Sequence, residues 1–518
     1  MRDDRVVKYP REGPSRNHWA TSGMSDIAQR RENVGDPRTQ TREIHFHNAR
    51  HGRSAQISEP TGLAWLTMHP RILIWFTSCV LVLTLLASGL GAGEAAGTPG
   101  ESTTGGQPSS EKSTALLDQP GTSRPETIEG QRLTASEILK RLVPEEQAIA
   151  QRLFGLGAAL GTDVSGPAAH IVSVNLAGRS ITEADLEPIG RLRELRSLVL
   201  DGTPITDVGL VYIAPLLKLE QIYLNGTQVS GAGLAILAEL PNLRVIEVAG
   251  TRVSDRGITF LTALQHLESL ALGGTLVTDQ AMVEIGKIAS LRFVDLRFTR
   301  IGNPGLQPLA PLRLQYLNLM GTRVDDEGLT VLATMDSLRE LYLPPAITDQ
   351  GLKRLSSLKT LEYLGLAGTR ITDQGTRFLT GLANLKGLNL SATQISDAGL
   401  EPLRALKNLQ FVDLSRTLIT DKAAQVVGSW EKLVYLNVDD TKIGDNFVTH
   451  ICGRLPLESL AVARTLVTDA ASEALAKCRT LKLLIASDSK MTSDGVAALA
   501  KQMPQTQIVY NLSRSSRD

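Results

Sequence analysis

The apolar positions of this chain repeat one phrase. From residue 171 to residue 510 the order Leu-x-x-Leu-x-Leu recurs, as at Leu195, Leu198 and Leu200 or at Leu385, Leu388 and Leu390. A β-branched or similar residue follows each phrase, at Ile181, Ile205, Val229, Val253, Val277, Ile301, Val324, Ile347, Ile371, Ile395, Ile419, Ile443, Val467 and Met491. The step is 24 residues, with two steps of 23. Thr stands two positions before that marker in eleven of the fourteen units, and Thr or Ser usually follows it, then Asp. Alternation such as Leu198-Val199-Leu200 predicts a short strand with one face on a core. Thr206 or Ser230 suits a helix N-cap, and Asp207 sits where the helix dipole favours negative charge. Glycines such as Gly209, Gly233, Gly351 and Gly399 keep the corner uncrowded, and Leu210 with Ile213 puts one helical face inward. Each unit therefore reads as strand, turn, short helix and return. Units this short cannot bury enough to fold alone, so they must stack. Fifteen strands are expected, from 171–176 to 505–510.

Upstream, Thr134-Ala-Ser-Glu137 has the spacing of a capping box, with Ile138, Leu139, Leu142 and Val143 behind it. Pro144-Glu-Glu opens a second helical pattern carrying Ile149, Leu153 and Leu156. Residues 133–170 thus read as a helical N-terminal cap over the first core layer. Residues 94–132 are rich in Gly, Ser, Thr, Pro, Glu and Gln and read as a flexible linker. Residues 1–67 are polar without periodicity and read as a disordered N-terminal extension; residues 511–518 are a tail. Between extension and linker, residues 72–90 hold no charge. Those 19 positions span roughly 28 Å as a helix, close to the apolar thickness of a bilayer. They are either a transmembrane helix, with Arg50, Arg53 and Arg71 on the cytoplasmic side, or part of a signal peptide. In the second case Met68 rather than Met1 is the true start, and cleavage falls near Gly91-Ala92-Gly93. Both alternatives stay open for residues 68–93. Both place the remainder outside the cytoplasm, at the cell envelope, either held by a single pass or secreted.

The segments LRSLVLDGTPITDVGL (195–210) and LKGLNLSATQISDAGL (385–400) resemble leucine-rich repeats of the subtype with Thr-Asp after the strand. That resemblance covers residues 171–510. The subtype is common in exported proteins of planctomycete-like bacteria and is related to the repeats of F-box substrate receptors. It implies an α/β repeat solenoid, a horseshoe with a parallel sheet on the concave face and short helices on the convex face. The Asn usual in the family after the strand is replaced here by Thr, so the side-chain ladder is expected to be hydroxyl-based. The unit LRELYLPPAITD (338–349) has lost the Thr and gained Pro344-Pro345, which predicts a local irregularity.

Composition narrows the chemistry. Aromatics are only 4% against 42% apolar residues, so the core is aliphatic. Lys plus Arg equals Asp plus Glu at 54 each, and a neutral chain has no global field to attract nucleic acid. Three cysteines cannot form a disulfide framework. Cys452 and Cys478 take positions held elsewhere by Ala238 and Leu240, and read as buried core residues. Gly155-x-Gly157-x-x-x-Gly161 lacks dinucleotide spacing and reads as crowding at the end of a cap helix. The Asp column reads as helix caps rather than a calcium ladder. His45, His47 and His51 lie in the polar extension, and His170, His266 and His450 are far apart in repeat register, so neither set suggests a site. No catalytic residue, metal or cofactor is expected.

What remains is binding. The family uses its concave face for partners, and outward strand positions here hold Phe293, Tyr316, Tyr342, Tyr363, Phe411 and Tyr435, six of the seventeen Phe and Tyr. On the same face lie Asp295, Asn318, Asn389, Asp413, Asn437 and Asp439. Aromatics beside carboxylates and amides on a rigid sheet form a recognition surface; the alternative is that aromatics favour strands and stack on one another. The expectation is a monomeric, non-enzymatic scaffold at the cell envelope that holds a protein or glycan partner. A cytoplasmic substrate-recognition subunit of a ubiquitin-ligase-like complex is the competing reading.

Overall fold

The computed structural model describes residues 139–163 and 168–511. The chain divides into two units, Met1–Ser113 and Thr114–Asp518, and every described residue lies in the second. The polar extension, the apolar run at 72–90 and the linker fall outside the described residues. Among the described residues no helix is long and apolar enough to cross a membrane.

The repeating phrase folds as its period dictates. Sixteen described strands form one sheet in sequence order. From His170–Asn175 to Gln507–Val509 each strand pairs parallel with the next at one-repeat register, as Leu198 with Ile222 and Leu388 with Val412. Each strand spans only about three residues because only the central Leu, Val or Ile of the phrase must face the core. The Leu phrase and the β-branched marker are buried throughout, from Ile171 to Met491. They form one continuous cluster. A strand takes about 4.8 Å in the stacking direction and a packed helix 8–10 Å, so the array bends toward its sheet. The sheet therefore lines the concave side.

The first strand was not foreseen. Helix Pro144–Gly155 is followed by Gly157, whose φ is 76°, and the chain returns as strand Ala159–Asp163, antiparallel to His170–Asn175. Gly161 belongs to that strand rather than to crowding at a helix end. Its missing Cβ would lie 3.1 Å from Ser173 Cβ. Glu146 joins cap to sheet: its carboxylate accepts from Ile171 N–H at 2.6 Å, while Leu142, Ala150 and Leu153 enter the core.

Two polar columns hold each unit in shape and to its neighbour. All eleven threonines before the marker are close to fully buried, and each hydroxyl donates to the carbonyl three residues earlier, as Thr203 to Leu200 and Thr369 to Leu366 at 2.6–2.7 Å. The expected hydroxyl column exists, but each bond stays inside its own unit. Contact between units falls instead to the Asp column. Asp373 accepts from Ser396 N–H at 2.8 Å and from its hydroxyl at 2.5 Å. The same grip joins Asp207 to Ser230, Asp349 to Thr372, Asp397 to Thr420 and Asp445 to Thr468. The helices are capped by the Thr or Ser before each Asp, as Thr206 accepts from Val208 N–H, and the carboxylates expected as caps instead tie each unit to the next. The corner glycines make room for them, since a Cβ on Gly399 would stand 2.2 Å from Asp373 Oδ1.

The expected irregularity is present after strand Glu340–Tyr342. No residue from Pro344 to Ala346 has a positive φ, because the turn is one residue short and carries Pro where other units carry Gly or its substitute.

Candidate binding face

The outward strand positions come together on the sheet face as the two-residue period requires. Phe293, Tyr316, Glu340, Tyr363, Gly387, Phe411 and Tyr435 occupy one row in register. Asp295, Asn318, Tyr342, Gly365, Asn389, Asp413 and Asn437 occupy the next. The aromatics differ sharply in exposure. Tyr342, Tyr363 and Tyr435 are only 5%, 4% and 7% exposed, whereas Phe293, Tyr316 and Phe411 are half-buried.

Glycine explains the difference in part. The Tyr342 ring lies where a Cβ on Gly365 would come within 2.4 Å of it. Tyr363 and Phe411 meet across Gly387 with ring centroids 6.2 Å apart. Tyr316 packs between Phe293 at 6.5 Å and Tyr342 at 5.7 Å, all tilted. Rings so placed cover sheet positions that lack side chains and stabilise one another.

The amides and carboxylates beside them are also engaged. Asp295, Asn318, Asn389, Asp413 and Asn437 each accept the N–H two residues on, as Ser415 N–H to Asp413 at 2.9 Å. Asp439 instead crosses to the next unit and accepts from Ala463 N–H at 2.6 Å. Such bonds fix the turn leaving each strand. They were legible only as polar residues on the strand; their partners depend on the turn that follows.

One column escaped the sequence reading. Leaving each strand, the chain passes through a left-handed residue, Gly at positions such as Gly202, Gly226 and Gly250. Phe298, Ala392, Arg416, Asp440, Arg464 and Asp488 adopt the same conformation, with φ of 52–56°. A side chain there costs about 1 kcal/mol each. Ion pairs offset part of it: Arg464 donates two bonds to Asp440, and Arg416 donates a third. The loss of Gly from a column that holds it earlier was the available signal.

Residues 287–310 and 314–333 match the family described as Leucine Rich repeat. These two units are leucine-rich repeats. The units on either side share their strand register and apolar phrase, so the leucine-rich-repeat architecture extends along the parallel strands from His170–Asn175 to Gln507–Val509. No curated protein matches the chain by sequence. Among solved structures it is similar to an internalin from Listeria monocytogenes, at 19% identity, covering 73% of this chain and 97% of that one with a TM-score of 0.44. A leucine-rich-repeat protein of Leptospira interrogans matches at 17% identity, 64% and 80% coverage and TM-score 0.41. The Arabidopsis receptor kinase HAESA, solved with a peptide hormone and a co-receptor, matches at 13% identity, 71% and 82% coverage and TM-score 0.37.

The leucine-rich-repeat array differs from expectation at its cysteines. Cys452 and Cys478 are buried, as the aliphatic positions they replace require, but they are also joined as a disulfide. They sit 26 residues apart, and stacking of successive units brings their Cα atoms to 5.0 Å, within the span a disulfide requires. Spacing near one repeat was the signal, and its meaning depended on the unit's three-dimensional rise. Among the described residues no three His, Cys, Asp or Glu side chains are grouped to hold a metal ion.

Burial of carboxylates makes the array sensitive to pH. Burial pushes Asp201, Glu247 and Asp295 above the usual carboxylate range, and pushes Asp439 up to about 7. The unfolded value for Asp is about 3.9, so between these two values the folded chain holds a proton that the unfolded chain releases. The resulting stability is complete below about pH 4 and is lost as pH rises through 7. Asp439→Asn should therefore gain on the order of 2 kcal/mol over the parent at pH 8 and show no such gain at pH 4. Urea unfolding at the two pH values checks it. An equal effect at both would show that Asp439 is not the titrating group.

Proposed function

We propose that this chain is a non-enzymatic, exported scaffold whose sheet face holds a protein or glycan partner at the cell envelope. The observation that carries the binding half is the row of half-buried Phe293, Tyr316 and Phe411. Side chains of their own unit and its neighbours hold these rings rigid, and carboxylates and amides already fixed by hydrogen bonds flank them. Preorganised aromatics bind with little loss of side-chain freedom. The Cys452–Cys478 disulfide supports the export half, because disulfides persist in oxidising compartments. It also weighs against a cytoplasmic ubiquitin-ligase role.

The experiment compares the full chain with a Phe293→Ser, Tyr316→Ser, Phe411→Ser variant as bait in envelope extracts. Tyr342, Tyr363 and Tyr435 are left intact because their burial would confuse binding with stability. The variant should lose at least about tenfold in partner recovery, which corresponds to about 1.4 kcal/mol, while its unfolding midpoint stays near that of the parent. Undiminished capture would remove the face from consideration. A C-terminal reporter active only outside the cytoplasm tests the export half separately.

A further inference from the structure

The row containing Phe293 and Tyr316 borders a gap that the repeat length itself creates. In regular units the return to the strand reads Leu-x-x-Leu, and the second x is a polar residue that reaches back to the preceding unit. Asn242 donates to Leu217 O at 2.8 Å, Asn384 to Lys359 O at 2.8 Å and Ser290 to Leu267 O at 2.7 Å. In Leu312-Arg313-Leu314 that residue is missing, which accounts for one of the two 23-residue steps. By register it would have reached Ala289 O or Leu291 O. Arg292 takes both instead: its Nη1 donates to them at 3.0 and 2.7 Å.

The omission leaves a cavity of about 610 Å³ at the edge of the sheet, lined among others by Arg292, Arg313, Arg339, Asp336 and Glu362. Its charge is unevenly satisfied. Glu362 is gripped by Arg339 at 2.6 Å and by Lys386 at 2.7 Å, and those two cations hold its carboxyl below the usual range although burial opposes them. Arg313 makes no ion pair with any described residue, nor does Arg292, whose Nη1 donates to backbone carbonyls. Two guanidiniums thus face a space large enough for several side chains; of the two lining acids Glu362 is neutralised by its own partners, which leaves Asp336 alone against Arg292 and Arg313. A guanidinium recognises a carboxylate through paired, planar hydrogen bonds. Phe293 and Tyr316 do not line the cavity, but they follow its lining residues Arg292 and Gln315 in the chain, so the rings adjoin its edge on the sheet. Those rings are tilted by 36° rather than laid out as a flat platform, a shape that takes a branched or apolar side chain better than a sugar face.

We propose that this notch binds a carboxylate of an acidic peptide segment, held by Arg292 and Arg313, with its neighbouring side chain against Phe293 and Tyr316. The inference rests on the reading of this face as a binding surface and names the chemistry of its partner. Three forms of the full chain test it: parent, Arg313→Gln, and one with Ser inserted between Arg313 and Leu314 to restore the 24-residue step and close the gap. The probes are immobilised nonapeptides, randomised around a central Glu, Gln or Lys, with free or amidated C-termini, and soluble glucuronate as competitor. The parent should be retained at least about tenfold better on the Glu set than on the Gln set. Both variants should lose that preference with unchanged unfolding midpoints. A preference that persists only with free C-termini assigns the carboxylate to the chain end and still supports the notch. Equal retention on Glu and Gln sets, an unaffected Arg313→Gln variant, or displacement by glucuronate ahead of peptide would overturn it. Loss of partner capture by the aromatic triple variant alone, with none in Arg313→Gln, would sink the notch and leave the face standing.

Discussion

Asp373→Ala is expected to lower the unfolding free energy by about 3 kcal/mol, the combined effect of two charge-assisted hydrogen bonds and of leaving Ser396 N–H without its acceptor. The carboxylate takes both bonds from the next unit, so its loss acts at a joint rather than within a unit. A stacked array is stabilised largely by contacts between neighbours, and a weakened joint lets the two sides unfold apart. Denaturant unfolding should accordingly broaden or split into two transitions. Ser396→Ala is the control: it removes the hydroxyl, with its bond to Asp373 and its cap on Ala398 N–H, but keeps the N–H bond, and about 1–2 kcal/mol is expected. If the two variants lose equal stability, the carboxylate's grip on the backbone N–H contributes nothing to the joint.

Gly257→Ala should cost about 2 kcal/mol for the opposite reason, overpacking where backbone meets backbone. The clamp column carries Asp or Asn at nearly every unit, but Gly at 231. With no carboxylate there, the next unit moves into the vacated space, and a Cβ on Gly257 would stand 2.6 Å from Gly231 Cα. A flexible side chain could turn aside, whereas a Cα cannot. Ala281, Ala423 and Ala471 hold the equivalent position in other units and are buried without difficulty; at the other corner glycines a Cβ would meet a side chain, and at Gly257 it meets backbone. Thermal unfolding of Gly257→Ala against the parent decides it. A neutral result would mean the two helices can separate freely at Gly231.

The two joints show what a single repeat could and could not disclose. The column of Asp residues was plain in the sequence, and a helix cap was a sufficient reason for each one taken alone. Its role in the joint depends on where the next unit's Thr or Ser lies, a distance that no spacing along the chain expresses. The cysteines repeat the lesson: each fits a buried position, yet only the stacking rise places Cys452 beside Cys478. On the sheet face the row of aromatics was correctly placed by alternation. Which rings stay half-open was decided in part by Gly365 and Gly387 on adjacent strands, that is, by neighbours a full repeat away.

By itself, then, the sequence determined everything that depends on period. Strand, turn and helix recur because apolar residues recur every 24 positions, and no other arrangement buries them all. It also determined the parallel register and the faces of the sheet, since alternation has only two phases. The tertiary structure decided what depends on distance between units. These are the carboxylate clamps, the disulfide, the close approach of Gly231 to Gly257, the antiparallel strand at Ala159–Asp163, and the notch left by one missing residue at Arg313. Their common physical reason is that hydrogen bonds, disulfides and van der Waals contact act over a few ångströms, and only the rise from one unit to the next brings such groups that close.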